Sequence, residues 1–315
     1  MKHRRAYLVF PEKHGIDPSL LKASKLLAGL NINFSMQITA SVGESGNANI
    51  TVYNLNREDM GFLSTCAAKW KEQKSLIQLY VGYSYDEPEK EDEIRCIFSG
   101  WITQASPEGY PDLALNIKGL TGKEWWGNRI DISKANTSII DLIDYTSSVT
   151  GYPVNINAKV RKTNVLLNKK LENFTYSGTS WGLLDKIQEM IGGGFMPNKD
   201  SVFLSTYNDQ TFVWTNEESS TGNILLVNEK TGMIGVPEAT TLGVNVTVLL
   251  NTGVNIGDKI KLESKRMPIL NGLYTISSFI HTGELRGNTW QTTLLCSRMP
   301  EYMKKEEGSL ANGLG

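Results

Sequence analysis

The chain is short of the side chains on which most metal and enzyme chemistry depends. Its 315 residues hold three cysteines (Cys66, Cys96, Cys296) and three histidines (His3, His14, His281). None of them stands at a C-x-x-C, H-x-x-x-H or C-x-x-H spacing, which excludes the common zinc signatures. Long apolar runs are missing as well. No 18-residue apolar span occurs, so no transmembrane helix is expected. Behind the basic Lys2-His3-Arg4-Arg5, the apolar stretch from Ala6 to Phe10 stops at Pro11. That is too short for a secretory signal, and the expectation is a protein not exported by that route. An excess of one charge is also absent: 32 basic against 33 acidic residues leave a net charge of -1. A protein built mainly to grip nucleic acid or anionic lipid would carry a clear positive excess.

What is present is an ordinary globular composition, 40% apolar, in a length that suggests two or three domains. From Asn31 to Val42 the apolar Ile32, Phe34, Met36, Ile38, Ala40 and Val42 alternate with Asn33, Ser35, Gln37, Thr39 and Ser41. This is the period of a half-buried strand. Turn chemistry at Gly43 to Gly46 returns the chain through Ala48, Ile50 and Val52, giving an antiparallel hairpin. Asn56 is placed to cap a helix over 57–68. Further strands are expected over 75–84, 94–106 and 112–120, and antiparallel strands with one wet face predict a closed barrel. Helical spacing follows over 137–149 and 180–191, among short β-like runs at 152–156, 201–206 and 211–215. Strands resume from Asn245, with 273–281 set to pair with 288–297. The tail from Met299 is polar and glycine-rich.

The resulting plan is mainly β with a smaller α+β part. A first β-barrel with an N-terminal arm occupies 1–125, an α+β domain 126–228, a second β-barrel 229–298 and a flexible tail 299–315. The hairpins running from Phe98 to Gly119 and from Leu273 to Ser297 have similar lengths and each carries a tryptophan, Trp101 or Trp290. A tandem repeat is the expectation from that pattern.

Sites of chemistry are few. Gly178-Thr179-Ser180-Trp181-Gly182 matches the G-x-S-x-G nucleophile elbow, and Asp200, Asp209 and Asp258 precede His281 in the matching chain order. The preceding Asn173 to Tyr176 lacks the apolar core strand that the motif needs, and a helix cap from Ser177, Thr179 or Ser180 explains the same residues. The loop from Asp86 to Glu93 concentrates six carboxylates without the spacing of a calcium loop, and a solvated hairpin tip is the expectation. Gly192 to Gly194 has no following Lys-Ser/Thr, so it is not a phosphate loop. The seven tryptophans are not interleaved with basic clusters, as a stacking platform for single strands requires. No catalytic, cofactor or metal residue is expected. Two alternatives stay open: a serine esterase using Ser180 and His281, and a two-barrel carbohydrate-binding adhesin using exposed tryptophans.

Three segments together resemble the baseplate hub proteins of contractile-tailed bacteriophages. They are Asn47-Ala48-Asn49-Ile50-Thr51-Val52-Tyr53-Asn54-Leu55; Gly243 to Leu262, with Leu249-Leu250-Asn251 leading into Gly257-Asp258-Lys259-Ile260; and Asn271 to Ile276 with His281-Thr282-Gly283-Glu284 and Trp290 to Leu294. The resemblance spans both β regions. It implies a structural, non-enzymatic protein of the virion tail baseplate, assembled in the host cytoplasm and needing no cofactor. Its partners would be two further copies in a homotrimer, the tail tube protein, the central membrane-piercing spike and other baseplate proteins. Two barrels per chain would make a trimeric ring pseudo-sixfold and match it to a hexameric tube. DNA or a tape-measure protein would pass the central channel without specific binding. The expected contact residues are Trp101, Thr103, His281 and Trp290, with Met299 and Tyr302 in the tail.

Overall fold

The computed structural model describes residues 2–10, 30–42, 46–69, 75–86, 92–109, 113–121, 129–193, 200–219 and 221–298. Most of the β structure belongs to one twelve-stranded sheet. Its first half runs β1 (Lys2–Val9), β4 (Leu76–Tyr85), β5 (Glu93–Glu108), β6 (Ala114–Leu120), β3 (Gly46–Tyr53) and β2 (Ile32–Thr39) in spatial order. The second half continues from β2 through β16 (Gly272–Glu284), β17 (Trp290–Ser297), β14 (Gly243–Leu249) and β13 (Met233–Ala239). β15 (Lys259–Leu262) and β12 (Ile224–Val227) branch from β16.

The seam between the halves is the antiparallel pair β2–β16, in which Met36 faces His281 and Ile38 faces Phe279. The two separate closed barrels expected from the alternation are therefore corrected to one continuous sheet. Among the described residues no barrel closes. Period-2 patterning sets which face of a strand is buried, but says nothing of which strand lies alongside. Both halves bury their apolar face in a single core that includes Leu8, Ile32, Ile50, Leu79, Phe98, Ile260, Phe279 and Leu294.

Between β6 and β12 the chain builds a second core. β7 (Arg129–Ser138) and β9 (Lys170–Thr179) form an antiparallel ribbon, and β8 (Val154–Ile156) joins β10 (Val202–Tyr207) and β11 (Gln210–Thr215) in a small sheet. Helices α2 (Ile139–Thr150) and α4 (Ser180–Ile191) pack on them through Leu142, Ile143, Leu183, Leu184 and Ile187. A short α3 spans Ala158–Thr163. The caps are where sequence places them. Asn56 accepts from the Asp59 amide at the head of α1 (Arg57–Ala68) at 2.7 Å. Ser138 and Asp141 form a capping box on α2, and Thr179 receives the Gly182 amide at 3.1 Å on α4.

The two expected hairpins exist as β5–β6 and β16–β17, each with one register shift, between Ile102 and Gln104 and between Ile276 and Ser278. Their tryptophans are not equivalent. Trp101 pairs with Leu120 at the open end of one hairpin, whereas Trp290 pairs with Gly283 beside the turn of the other. The strand expected to end at His281 runs on through Thr282, Gly283 and Glu284 as part of β16. β1, read from sequence as an arm, is the end strand of the sheet, paired along its whole length with β4.

Candidate functional site

One continuous surface feature is the outward face of six strands in register, β14–β17–β16–β2–β3–β6. One row across it reads Leu249, Gln291, Thr282, Ser35, Asn49 and Lys118. The next reads Thr247, Thr293, Ile280, Gln37, Asn47 and Leu120, and continues to Trp101 on β5. These positions are the polar half of the alternation whose apolar half fills the core. Over the face as a whole, from Thr275 onward on β16, only Lys118 and Glu284 are charged. The whole chain is 21% charged. A protein surface ordinarily keeps its solubility with interspersed ions of both signs. Here amides and hydroxyls take their place, together with the apolar Leu249, Ile280 and Leu120.

Beside this face lies an apolar strip. Leu226 on β12, Lys261 on β15 and Leu273 on β16 stand in one row, with Ile224 two residues away; Ile224 is 62% and Leu273 49% exposed. Ile234 and Val236 on β13 are exposed as well. The exposed large apolar side chains thus concentrate on the second half of the sheet, the pattern of a surface that a partner covers.

Two polar clasps hold the α+β part against the sheet. At the β10–β11 turn, Asn208 and Asp209 both have positive φ, 48° and 58°, as a type I′ turn requires. The turn presses against the stretch of β5 that β6 leaves unpaired. The Asn208 Oδ1 accepts the Ser99 amide at 2.9 Å, its Nδ2 donates to the Ile97 carbonyl at 2.6 Å, and the Ser99 hydroxyl donates to Asp209 at 2.9 Å. The side chain of Asn208 thereby stands in for a neighbouring strand. In the second clasp, the buried ammonium of Lys259 donates to the Thr215 carbonyl (3.1 Å), the Asn216 carbonyl (2.7 Å) and the Thr275 hydroxyl (2.7 Å). Burial pulls its pKa down to about 8, against the opposing pull of Glu218, Asp258 and Glu217. Next to it, burial pushes the Asp258 carboxyl up, although Thr221 donates to it at 2.6 Å.

The expected contact residues divide by burial. Trp101 is half-buried, with an indole N–H that meets no acceptor among the described residues, and the half-buried Thr103 donates to the Lys118 carbonyl at 3.2 Å. His281 and Trp290 lie in the chain's own core, 2% and 3% exposed. His281 bonds the Thr292 hydroxyl at 2.8 Å and burial drives its pKa down to about 3, so the ring is neutral at physiological pH. Trp290 packs edge-on against Phe34, with centroids 5.5 Å apart, and lies under Arg4. Met299 and Tyr302 fall outside the described residues, as do Trp70, Trp125, Trp126 and most of the acidic loop.

The esterase pair is not brought together. Ser180 is fully buried at the start of α4, where Thr179 supplies the cap, while His281 belongs to the sheet core. Of the four tryptophans among the described residues, Trp101 is half-buried and Trp181, Trp214 and Trp290 are buried, so none of these four offers the exposed ring that the adhesin alternative calls for. No cluster of three His, Cys, Asp or Glu suited to a metal occurs among the described residues either. The uncharged face was missed from sequence, though its signal was there: Asn33, Ser35, Gln37 and Thr39 fill the polar half of an alternation without one ion.

The fold is similar to the 43 kDa tail protein of prophage MuSo2 from Shewanella oneidensis, at 10% identity and a TM-score of 0.53, over 95% of this chain and 98% of that one. The tail protein from Neisseria meningitidis MC58 aligns at 8% identity and a TM-score of 0.51, over 85% and 96%. An E. coli component of the type VI secretion system, itself similar in structure to the T4 bacteriophage tail proteins gp27 and gp5, aligns at 9% and 0.50, over 88% and 76%. At such identities the likeness is one of fold. No curated protein sequence matches. The family model described as Baseplate hub gp41 matches residues 18–296, nearly the whole chain, and the chain accordingly belongs to this family of structural baseplate hub proteins of phage tails.

Proposed function

We propose that the protein is the adaptor of the tail baseplate, a homotrimeric ring with pseudo-sixfold symmetry. It joins a hexameric tail tube on one side to a trimeric membrane-piercing spike on the other, and leaves a central channel. The observation that carries the reading is the division of the twelve-stranded sheet into six strands on each side of the β2–β16 seam, each half with its own bulged hairpin. Two such halves in each of three chains offer six similar surfaces, which lets a threefold object meet a sixfold one. The apolar strip on β12, β15 and β16 supplies area for a protein partner, and the α+β part, clasped through Asn208 and Lys259, holds the ring's outer segment in fixed orientation. The division expected at 126–228, with its end drawn back to precede β12, which lies in the large sheet, belongs to this proposal, as does assembly in the host cytoplasm. Near-zero net charge suits a conduit, since a basic one would hold phosphates.

Class averages of the purified protein test this. A six-lobed ring of about 105 kDa, three copies of a 35.0 kDa chain, that binds tube and spike proteins is the expected result. A monomer in light scattering that ignores both overturns it.

A further inference from the structure

We infer that the free edge of β1 is a docking slot for an extended acidic segment of a partner protein, which adds to the large sheet as one more strand. The inference goes beyond the hub reading and does not depend on the ring. β1 pairs with β4 over Lys2–Val9 and with no other strand among the described residues, so every second residue along it turns its backbone N–H and C=O outward. Residues 2–7 form one wall of a cleft of about 450 Å³, and Leu285 and Arg286, in the turn between β16 and β17, form part of the other. That turn is held in place: Arg4 donates to the Gly287 carbonyl at 2.7 Å, and the Leu285 amide donates to the Ile32 carbonyl at 3.1 Å. Six residues of strand at ~3.4 Å each make the slot roughly 20 Å long. A cleft with a strand edge for a wall is the geometry of strand addition, in which main-chain hydrogen bonds supply affinity and alternate side chains supply specificity.

Charge names the occupant. Lys2, His3, Arg4 and Arg5 follow one another along the edge, and the exposed Arg286 lines the same cleft. Two of these are answered within the chain, Lys2 by Glu93 at 3.5 Å and His3 by Asp86 at 2.9 Å. Arg4 donates to main-chain carbonyls and Arg5 to the Ser84 hydroxyl at 2.8 Å, and neither meets a carboxylate among the described residues. An incoming strand lays its side chains opposite those of β1, where a carboxylate across from an arginine is favourable and a second cation is repelled. Cations on an edge strand ordinarily keep other chains away. Here they do so selectively, turning away basic segments and admitting an acidic one. Nucleic acid matches the charge but not the edge, since a sugar-phosphate backbone has no alternating N–H and C=O with which to complete a ladder.

The test titrates the full chain, by fluorescence anisotropy, into four labelled probes. They are the capped hexapeptide Glu-Val-Glu-Thr-Glu-Val, the same peptide N-methylated throughout its backbone, its counterpart with lysine for every glutamate, and a short DNA duplex. Expected is binding of the acidic peptide at least tenfold tighter than of any other probe, with amide exchange slowed along Lys2–Val9. Arg5 is exposed, so Arg5→Glu leaves the core intact, which the fluorescence of the buried Trp290 verifies. This variant should bind the acidic peptide at least tenfold more weakly and the lysine peptide more tightly than wild type. Failure of the acidic peptide to bind overturns the inference, as does unchanged affinity in Arg5→Glu. Equal binding of the N-methylated peptide would leave a charged surface without strand addition, and tighter binding of the duplex would assign the cleft to nucleic acid. A change in the sedimentation of Arg5→Glu with no peptide present would make the edge a contact between copies of this chain. Each of these three results also overturns the inference. Ring formation is tested separately by the class averages above, so the hub proposal stands or falls on its own.

Discussion

Removing the Asn208 side chain isolates what one turn contributes to the junction between the two cores. Ser99 and Ile97 are 5% and 3% exposed, so water does not readily replace the amide that bonds their backbone N–H and C=O. A buried backbone group stripped of its partner costs about 1–3 kcal/mol. Two such groups put the loss for Asn208→Gly at about 2–6 kcal/mol. Asn208→Ala adds the penalty of an ordinary side chain at φ 48°, roughly 1 kcal/mol more. The ordering, wild type above Asn208→Gly above Asn208→Ala, separates bonding from backbone strain. Because the chain has two cores, a single unfolding midpoint mixes them, and amide exchange at Ser99 is the local readout. Both variants should speed that exchange at least tenfold and move the urea midpoint in the stated order. Unchanged exchange at Ser99 in both would refute the reasoning, and Asn208→Gly falling below Asn208→Ala would refute the strain argument alone.

Burial holds the His281 pKa at about 3 against 6.5 in an unfolded chain, so the unfolded state takes up the proton first as pH falls. Stability should therefore drop between about pH 6.5 and 3 by up to about 5 kcal/mol more in wild type than in His281→Leu, read as the difference between their urea curves at each pH. Lys259 is also depressed, to about 8 from 10.5, and here the unfolded state holds the proton longer as pH rises. Wild type should accordingly gain about 3 kcal/mol relative to Lys259→Met between about pH 8 and 10.5, and a constant difference over that window would show that the ammonium is not desolvated. A methyl group at Gly283 would lie 2.3 Å from the Phe34 ring and 2.8 Å from Trp290, so Gly283→Ala should cost about 1–3 kcal/mol in thermal unfolding and perturb the fluorescence of Trp290.

Elements with strong local periodicity were legible in the sequence. The alternation over Ile32–Thr39 and the apolar spacing and caps of Ser180–Ile191 locate β2 and α4 closely, because the buried face and the first-turn amides are decided by neighbours a few residues away. The ribbon of β7 and β9 was not legible. Its strands, RIDISKANTS and KLENFTYSGT, are largely exposed and polar, and they pair across an intervening helix pair and strand. The seam was not legible either, since nothing local in β2 names β16 as its neighbour; two separate barrels satisfied the same alternation. The fate of the aromatic residues turned on the same gap. Trp290 looked like a surface anchor on a hairpin arm, and only the approach of Phe34 from β2 makes it core.

The seam also sets a timetable for synthesis. The Ser278 hydroxyl reaches the Ile38 carbonyl, 240 residues earlier in the chain, at 2.8 Å. At about 5–20 residues per second, β2 leaves the ribosome some 10 to 50 seconds before its partner exists. From the completion of β6 until β16 is made, the first six strands present an unpaired edge, the kind of edge that recruits other chains. A chain truncated before β16 would be left with it permanently, and should accumulate as aggregate rather than as a shorter soluble protein.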